Sequence, residues 1–495
     1  MIVFVVGGLG GGGGLLVRQL DRQWTKLILI NICLTCFFSA AAGMSEEDIG
    51  VLEEKMRDNP FVKLQENFSS YYKINKESES SPHYIQPIQF KLPRNSVGKE
   101  CPFQYIPIIQ TLTAIVSDPD FDNLVQEPTA DGYLYDLKDG SAWKTNQYFI
   151  DNPEALTGQL YSDAVELDNP LGASKGTHKA LNVYFSLMDI PKVRRSKTDN
   201  IFLVLTALEK DLKENKEENF ARFYKPLVED LKKLESGVQI GGKTVKMGLT
   251  CYSADNLEAS VVGGFSQCYS SNDVCRICHQ QYKELQEITG IPKVARWTRE
   301  EYDRAVSNMQ PGERGDFGLN SGCIFNSLQA FHCIGGIPTD VMHDFCEKVA
   351  AFDCMSALKV IVSSGLLTFE EYNQVLREVK LGDYEATDRP KVVNPKGSTI
   401  PGKAMAVALH LRLMPFFLWR ILRGNVPDSP AIDLIIILAR ILEYIMADKL
   451  SMTDIEDFED LVVVFFDKRK ICAEQYGNFC SLTPKYHHLG MIRSL

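Results

Sequence analysis

The chain lacks the basic excess that phosphate binding leaves in a whole-chain count: 53 Lys and Arg stand against 64 Asp and Glu, a formal charge of -11. A nucleic-acid partner would therefore have to meet a local basic patch. Cysteine is sparse as well, 13 in 495 residues and an odd number, which excludes a disulfide scaffold and points to a reducing compartment. No glycine-rich loop with a P-loop lysine follows a strand, and no GxSxG elbow occurs. Internal repeats, a helix-turn-helix and a zinc-finger array are missing too. Beyond residue 43, only one cysteine pair has metal-ligand spacing.

What is present is material for a large globule, since 45% of residues are apolar, enough for one large domain or two to three ordinary ones. GGLGGGGG at 7–14 carries no side-chain chemistry. LILINICLTCFFSAAAG at 27–43 follows Arg18, Arg22 and Lys26 and ends in small residues, the pattern of a secretory signal, and it is short of the roughly 20 residues of a membrane span. Two readings stand: a signal or anchor of a secreted or membrane-attached protein, and a mis-set start before an intracellular chain. The sequon at Asn67 does not separate them. Residues 44–84 are charged and serine-rich and read as a linker.

From 156 to 255 the order of elements carries the argument. LTGQLYSDAVEL (156–167), ALNVYFSLMDI (180–190) and NIFLVLTAL (200–208) are of strand length, the last two rich in Val, Ile and Phe, and predict a three-stranded meander. Phe220, Phe223, Tyr224, Leu227, Val228, Leu231 and Leu234 then recur on one helical face, with Gly237 past its end and Pro226 as a candidate first turn. TVKMGLTCYSAD reads as one further alternating strand ending at Asp255, after which LEASVVGGF opens a helix. Three strands, a helix, a strand and a helix is the order of an RNase H-like α/β core, a mixed sheet flanked by helices whose first and fourth strands lie side by side. Beyond 280 the pattern is helical. Thr298 with Glu301, Thr368 with Glu371 and Thr453 with Glu456 fit the capping box. AIDLIIILARILEYIMA (431–447) reads as a buried core helix, because Asp433, Arg440 and Glu443 interrupt it.

Few residues offer chemistry. Asp163 and Asp255, at the first and fourth strands, have the hard oxygens that magnesium wants, and two such ions would activate a water and stabilise a leaving oxygen in phosphodiester cleavage. Strand-end aspartates also cap turns, and spacing alone leaves both uses open. Cys275 and Cys278 in DVCRICH have the spacing of half a zinc site, with His279 adjacent and His487 and His488 far downstream; two buried free cysteines remain the other reading. Asp340 and His343 share a helical face, where a hydrogen-bonded pair or a metal site would fit. Lys175, His178, Lys179, Lys192, Arg194, Arg195 and Lys197 form a basic cluster able to meet phosphates or to be a solvated face.

The run LYSDAVELDNPLGASKGTHKALNVYFSL resembles the segment bearing the first catalytic aspartate in animal transposase-derived proteins of the CACTA (EnSpm)-like DDE transposase group. The matching positions are Tyr161, Asp163, Asn169, Pro170, Leu171, Gly172, His178 and Lys179. FKLP, FQYIPI, DLKDGS, RRSKTDNIFLV, PLVEDLKKLE, ADNLEASVVGGF, CRIC, IPTDVMHDFCEKV and TPKYHHL resemble further family blocks in the same order, over about residues 85–490. The resemblance implies an N-terminal family segment at 85–150 and an RNase H-like core at 151–270. A CxxC/DxxH zinc-type segment at 271–350 and a helical part at 351–495 follow. It also implies Asp163 and Asp255 as catalytic ligands of magnesium or manganese, with zinc held by Cys275, Cys278 and His487. Lys175, His178 and Lys179 would contact DNA in a nuclear homo-oligomer that needs no small-molecule cofactor and no membrane.

Three departures qualify this. Glu258 and Ser260 replace a glycine and a histidine of the family's block, Lys348 replaces a glycine, and Met491 stands where a second histidine belongs. The family's third catalytic acid, a later glutamate, is not reached before Leu495. The expectation is severely reduced DNA strand transfer, with a non-enzymatic nuclear DNA- or protein-binding protein as the alternative.

Overall fold

The computed structural model describes residues 84–492, apart from 94–97, 126–130, 168–178, 269–272, 274, 289–293, 311–314, 384 and 478. The leader at 27–43, Asn67, the 169–172 stretch, Lys175 and His178 lie outside the described residues. The elements around the meander are β1 (Ile88–Leu92), β2 (Cys101–Tyr105), α1 (Ile108–Val116), β3 (Leu156–Glu166), β4 (Lys179–Leu187), β5 (Phe202–Leu208) and α2 (Lys216–Ser236). They are followed by β6 (Val238–Ile240), β7 (Lys243–Val245), β8 (Met247–Ser253) and α3 (Asn256–Val262). The fold is α/β, with a mixed six-strand sheet flanked by helices in the order β1-β2-β5-β4-β3-β8. The chain divides into two compact units, one within Val6–Gln126 and Leu156–Met247, the other within Glu127–Ala155 and Gly248–Leu495.

In the first of these units the strand period of two sorts the side chains. Leu160, Leu181, Val183, Phe185, Leu205 and Ala207 share the buried face, where Phe223 of α2 meets Phe103 edge-on at 5.5 Å. The opposite face is polar: Asp163 is opposite Asn182, which is opposite Thr206. Pro226 is not a first turn but lies inside α2, ten residues after its start. A proline there removes one backbone bond at a cost of about 3 kcal/mol. The buried stripe from Phe220 to Leu234 continues across it and holds the helix together. Nor is TVKMGLTCYSAD one strand. Gly241 and Gly242, at φ of 57° and 81°, turn β6 back onto β7, and β8 begins only at Met247. Within β8 all residues except Thr250 are buried, so both faces are covered and the expected alternation is absent.

The other unit is mostly helical: α4 (Arg299–Asn308), a π-helix (Met342–Ala350), α5 (Ala351–Ser363), α6 (Phe369–Glu378), α7 (Ala404–Ile421), α8 (Pro430–Ile445), α9 (Met452–Tyr476) and α10 (Pro484–Leu489). Reciprocal capping boxes form at Thr298 with Glu301 and at Thr368 with Glu371. The third is displaced, because Ser451 and Asp454 make it instead of Thr453 and Glu456. Two backbone hydrogen bonds to Leu134 keep the chain extended through Leu450, so the next residue takes the cap. α8 is a core helix, as its interrupting charges predict, with ten buried residues from Ala431 to Ile445. α7 is the one helix among the described residues long and apolar enough to cross a membrane, and 56% of that stretch is buried.

His410 of α7 is fully buried against Tyr372, 2.9 Å from its hydroxyl. Burial alone lowers its pKa to about 3. An unfolded histidine binds its proton near 6.5, so from about 6.5 down to about 3 the unfolded chain holds the extra proton. Stability conferred by neutral His410 is therefore full above that window and falls with pH inside it, by up to about 1.4 kcal/mol per pH unit. His410→Gln is expected to flatten this part of the urea-midpoint profile between pH 6 and 4. An unchanged slope would show that the imidazole is solvated.

Candidate metal centre

Residues far apart in the chain converge in the mostly helical unit. The CxxC turn is pinned by short pairing with the segment before α4, where His279 N–H donates to the Ala295 carbonyl at 3.0 Å and Trp297 N–H to that of Ile277 at 3.1 Å. Inside the turn, Ile277 N–H donates to Cys275 Sγ at 3.3 Å, and the backbone of Gln280 donates to Cys278. Hydrogen bonds of this kind favour thiolates, the form that binds metal.

The third member arrives on α10. Pro484 at its first turn needs no hydrogen-bond partner for a missing N–H. The helix is fixed from several sides. Gln286 exchanges two hydrogen bonds with the backbone of Leu482, at 2.7 and 3.0 Å. Lys485 Nζ donates to the His343 carbonyl at 3.0 Å, and Tyr486 OH to Asp353 Oδ1 at 2.8 Å. His487 is thereby buried with Nε2 3.1 Å from Cys278 Sγ. The ligand atoms of Cys275, Cys278 and His487 all lie within 4.8 Å of one another. Two soft sulfurs and an imidazole nitrogen are a donor set suited to zinc.

The electrostatics of this pocket are those of a proton-sharing cluster. Burial opposes ionisation of Cys275, but hydrogen bonding from Cys278 and the charges and hydrogen bonds of His487 and His488 outweigh it and hold this thiol well below its ordinary value. Cys278 is pushed well above, first by donating a hydrogen bond to Cys275 and then by burial. Asp344, on the π-helix and 1% exposed, meets His488 Nδ1 through Oδ2 at 2.9 Å. Its other oxygen accepts from Asn256 Nδ2 at 2.6 Å, and Asn256 Oδ1 accepts from Arg276 at 2.9 Å. Arg276 also donates to the Pro338 carbonyl. Burial works against protonation of His488, and the Asp344 carboxylate overrides it, lifting the imidazole to about 9.

No protein-family model matches the chain, and no curated protein does.

The remaining residues singled out by sequence fall as follows. His279 belongs to an aromatic cluster, its ring 4.6 Å from that of Trp297 and 4.3 Å from that of Phe317. Met491, fully buried, packs on the two cysteines. Asp340 and His343 form a hydrogen-bonded pair at the start of the π-helix, through both the His343 N–H and its ring. That hydrogen bond lifts His343 above its ordinary value. Asp163 is exposed on the polar face of β3; burial first, and then the charge of Asp163, raise the Tyr184 hydroxyl, against a hydrogen bond from Asn182. Asp255 is the N-cap of α3, its Oδ1 accepting from Glu258 N–H at 2.8 Å, so the acid at the end of an apolar run has a local use. Lys179 opens β4 half-buried, and Arg194 and Lys197 are exposed. Arg195 is not part of a basic surface: it is buried and donates to the Met188 carbonyl at 2.9 Å.

Sequence reasoning missed Asp344, Asn256 and Arg276, and passed over His488. The signals were faint. Asp344 follows the DxxH motif directly, but it is buried within a π-helical stretch, a rare form frequently found at functional sites and not one that sequence periodicity marks.

Proposed function

We propose that the chain is a transposase-type protein with an RNase H-like core and a structural zinc centre held by Cys275, Cys278 and His487. In it Asp163 and Asp255 would bind magnesium or manganese for phosphodiester cleavage of DNA. The observation that carries this reading is the convergence of Cys275, Cys278 and His487 within 4.8 Å, for these are the residues that the family resemblance nominates, and 209 positions separate Cys278 from His487. The succession β3, β4, β5, α2, β8, α3 supports it as well. DNA as partner, a nuclear location and self-association belong to the same proposal. Bound zinc would supply no redox step or nucleophile here. Its chemistry is cross-linking, while the backbone N–H groups of Ile277 and Gln280 stabilise the thiolates and Asp344 orients the neighbouring imidazole.

A second reading has an observation of its own. Asp255 already caps α3, the ordinary use of a strand-end aspartate. On that reading the fold and metal centre serve binding of DNA or protein without catalysis.

Titration of zinc-loaded protein with manganese separates the two. The first reading expects Asp163→Ala and Asp255→Asn each to weaken manganese binding at least about 10-fold, roughly 1.4 kcal/mol, and to abolish any manganese-dependent nicking of supercoiled DNA. Indistinguishable isotherms for wild type and both variants would dispose of it in favour of the second.

A further inference from the structure

Three ligands leave a tetrahedral zinc site one short, and an open position is the mark of a catalytic rather than a structural centre. The residues around the cluster identify what fills it. His488 is 2% exposed, and its Nε2 is buried without a nitrogen or oxygen partner, with the Cys275 sulfur beside it. Its other nitrogen is engaged by Asp344 Oδ2 at 2.9 Å. With Nδ1–H donating to that carboxylate, Nε2 is the nitrogen left to the cluster; the proton that it holds in the metal-free pocket would leave as a metal binds, giving the carboxylate–histidine arrangement that metal ligands commonly use. Asp344 is itself held from behind by Asn256 and, through it, Arg276. Cys275 also interacts with His488, which places the imidazole beside the thiolate although outside the trio of mutually close atoms.

The competing donors fare worse. His279 Nδ1 is also buried without a partner, but its ring is packed between Trp297 and Phe317 and its Nε2 lies 3.9 Å from Glu301, whereas His488 meets Cys275. Met491 touches the cysteines but offers a thioether, a ligand suited to copper(I) more than to zinc. The position at which the family block has its second histidine is thus filled by packing, and of the imidazoles outside the trio His488 is the one that meets Cys275.

We propose that His488 Nε2 is the fourth ligand of the metal centre, making it a closed two-sulfur, two-nitrogen site, and that Asp344 is the positioning residue that holds the imidazole for it. This rests on the zinc reading above. It also assigns the π-helix a purpose: it supplies the carboxylate behind the ligand. When loaded, the site would tie the CxxC turn, α10 and the π-helix into one piece.

Cobalt(II) titration of the full chain tests this, because tetrahedral cobalt with thiolate ligands absorbs strongly in the visible. Wild type is expected to bind one equivalent with tetrahedral d–d bands. His488→Gln should lose the intensity of those bands and at least about 100-fold in affinity, Asp344→Asn about 10–100-fold with the bands retained, and Met491→Leu should change neither. Far-UV circular dichroism checks that each variant is folded. Asp344→Asn, which removes no ligand, keeps the proposal testable should His488→Gln not fold. Tetrahedral binding by wild type that persists within about threefold in His488→Gln, or that Met491→Leu abolishes instead, overturns the assignment of His488 and leaves the zinc reading standing. Absence of any cobalt binding by wild type overturns both.

Discussion

Cys275→Ser is expected to yield protein without bound zinc and with a thermal midpoint lower by about 10 °C. Metal binding to the folded state alone stabilises by RT ln(1 + [L]/Kd), about 4 kcal/mol when free zinc is 1,000-fold above the dissociation constant. For units of 150–250 residues each kcal/mol moves the midpoint by about 2–4 °C. The substitution exchanges a thiolate that receives the Ile277 N–H for a hydroxyl that does not ionise at neutral pH, so little residual affinity is expected. A chelator separates metal loss from a packing defect: it should bring wild type down to the level of the variant and leave the variant unmoved. Equal sensitivity of the two proteins to chelator would show that this cysteine holds no metal.

Asp353→Ala is the second large effect, and it acts through the same helix. Asp353 is fully buried in α5. Its Oδ2 accepts from Arg469 Nε of α9 at 2.8 Å and its Oδ1 from Tyr486 OH of α10 at 2.8 Å. Arg469, 5% exposed, also donates to the Cys480 carbonyl at 2.6 Å, and its guanidinium lies 4.5 Å from the Tyr486 ring centroid. Burial raises the Asp353 carboxyl above the usual carboxylate range even though Arg469 and Tyr486 pull the other way. Desolvation is thus the larger effect, and the pair is not a source of net stability so much as a commitment: with either partner removed, the other is a buried charge without compensation. Breaking such a pair costs about 3–5 kcal/mol, whereas replacing both partners by apolar residues is often nearly neutral. Urea unfolding should therefore show a loss of about 3–5 kcal/mol for Asp353→Ala and a smaller loss for Asp353→Leu combined with Arg469→Met. Zinc affinity should fall with the single change, because Tyr486 adjoins His487. Additive losses in the double variant would contradict the account of a mutually dependent pair.

Legibility from sequence divides along physical lines. β3, β4 and β5 are readable because they are apolar runs of strand length, and the stripe from Phe220 to Leu234 because it repeats every three or four residues over a full helix. Pro226 and the split between β7 and β8 are not, since burial of α2 overrides a helix-breaking proline and the Gly241-Gly242 turn sits inside what looks like one alternating run. Thr453 and Ser451 offer equal local chemistry for a cap, and only pairing of Leu450 with distant Leu134 decides between them. In the metal centre, Cys275 and Cys278 declare themselves by spacing, and His487 entered through a family resemblance. His488 is named in the sequence beside His487, but its pairing with Asp344 shows only once the fold has brought the 340s and the 480s together, because no local periodicity links a helix of six residues to a π-helix more than a hundred positions earlier. Arg195 shows the reverse case: in a cluster of basic residues it is indistinguishable from its neighbours, yet it turns inward to a carbonyl.

Zinc K-edge X-ray absorption on the full-length chain, purified without added metal and dialysed against a weak chelator, tests the central claim most directly. One zinc per chain is predicted, with two sulfur scatterers at about 2.3 Å and nitrogen scatterers at about 2.0–2.1 Å. Protein free of zinc, or zinc in a shell of oxygen and nitrogen alone, would contradict it.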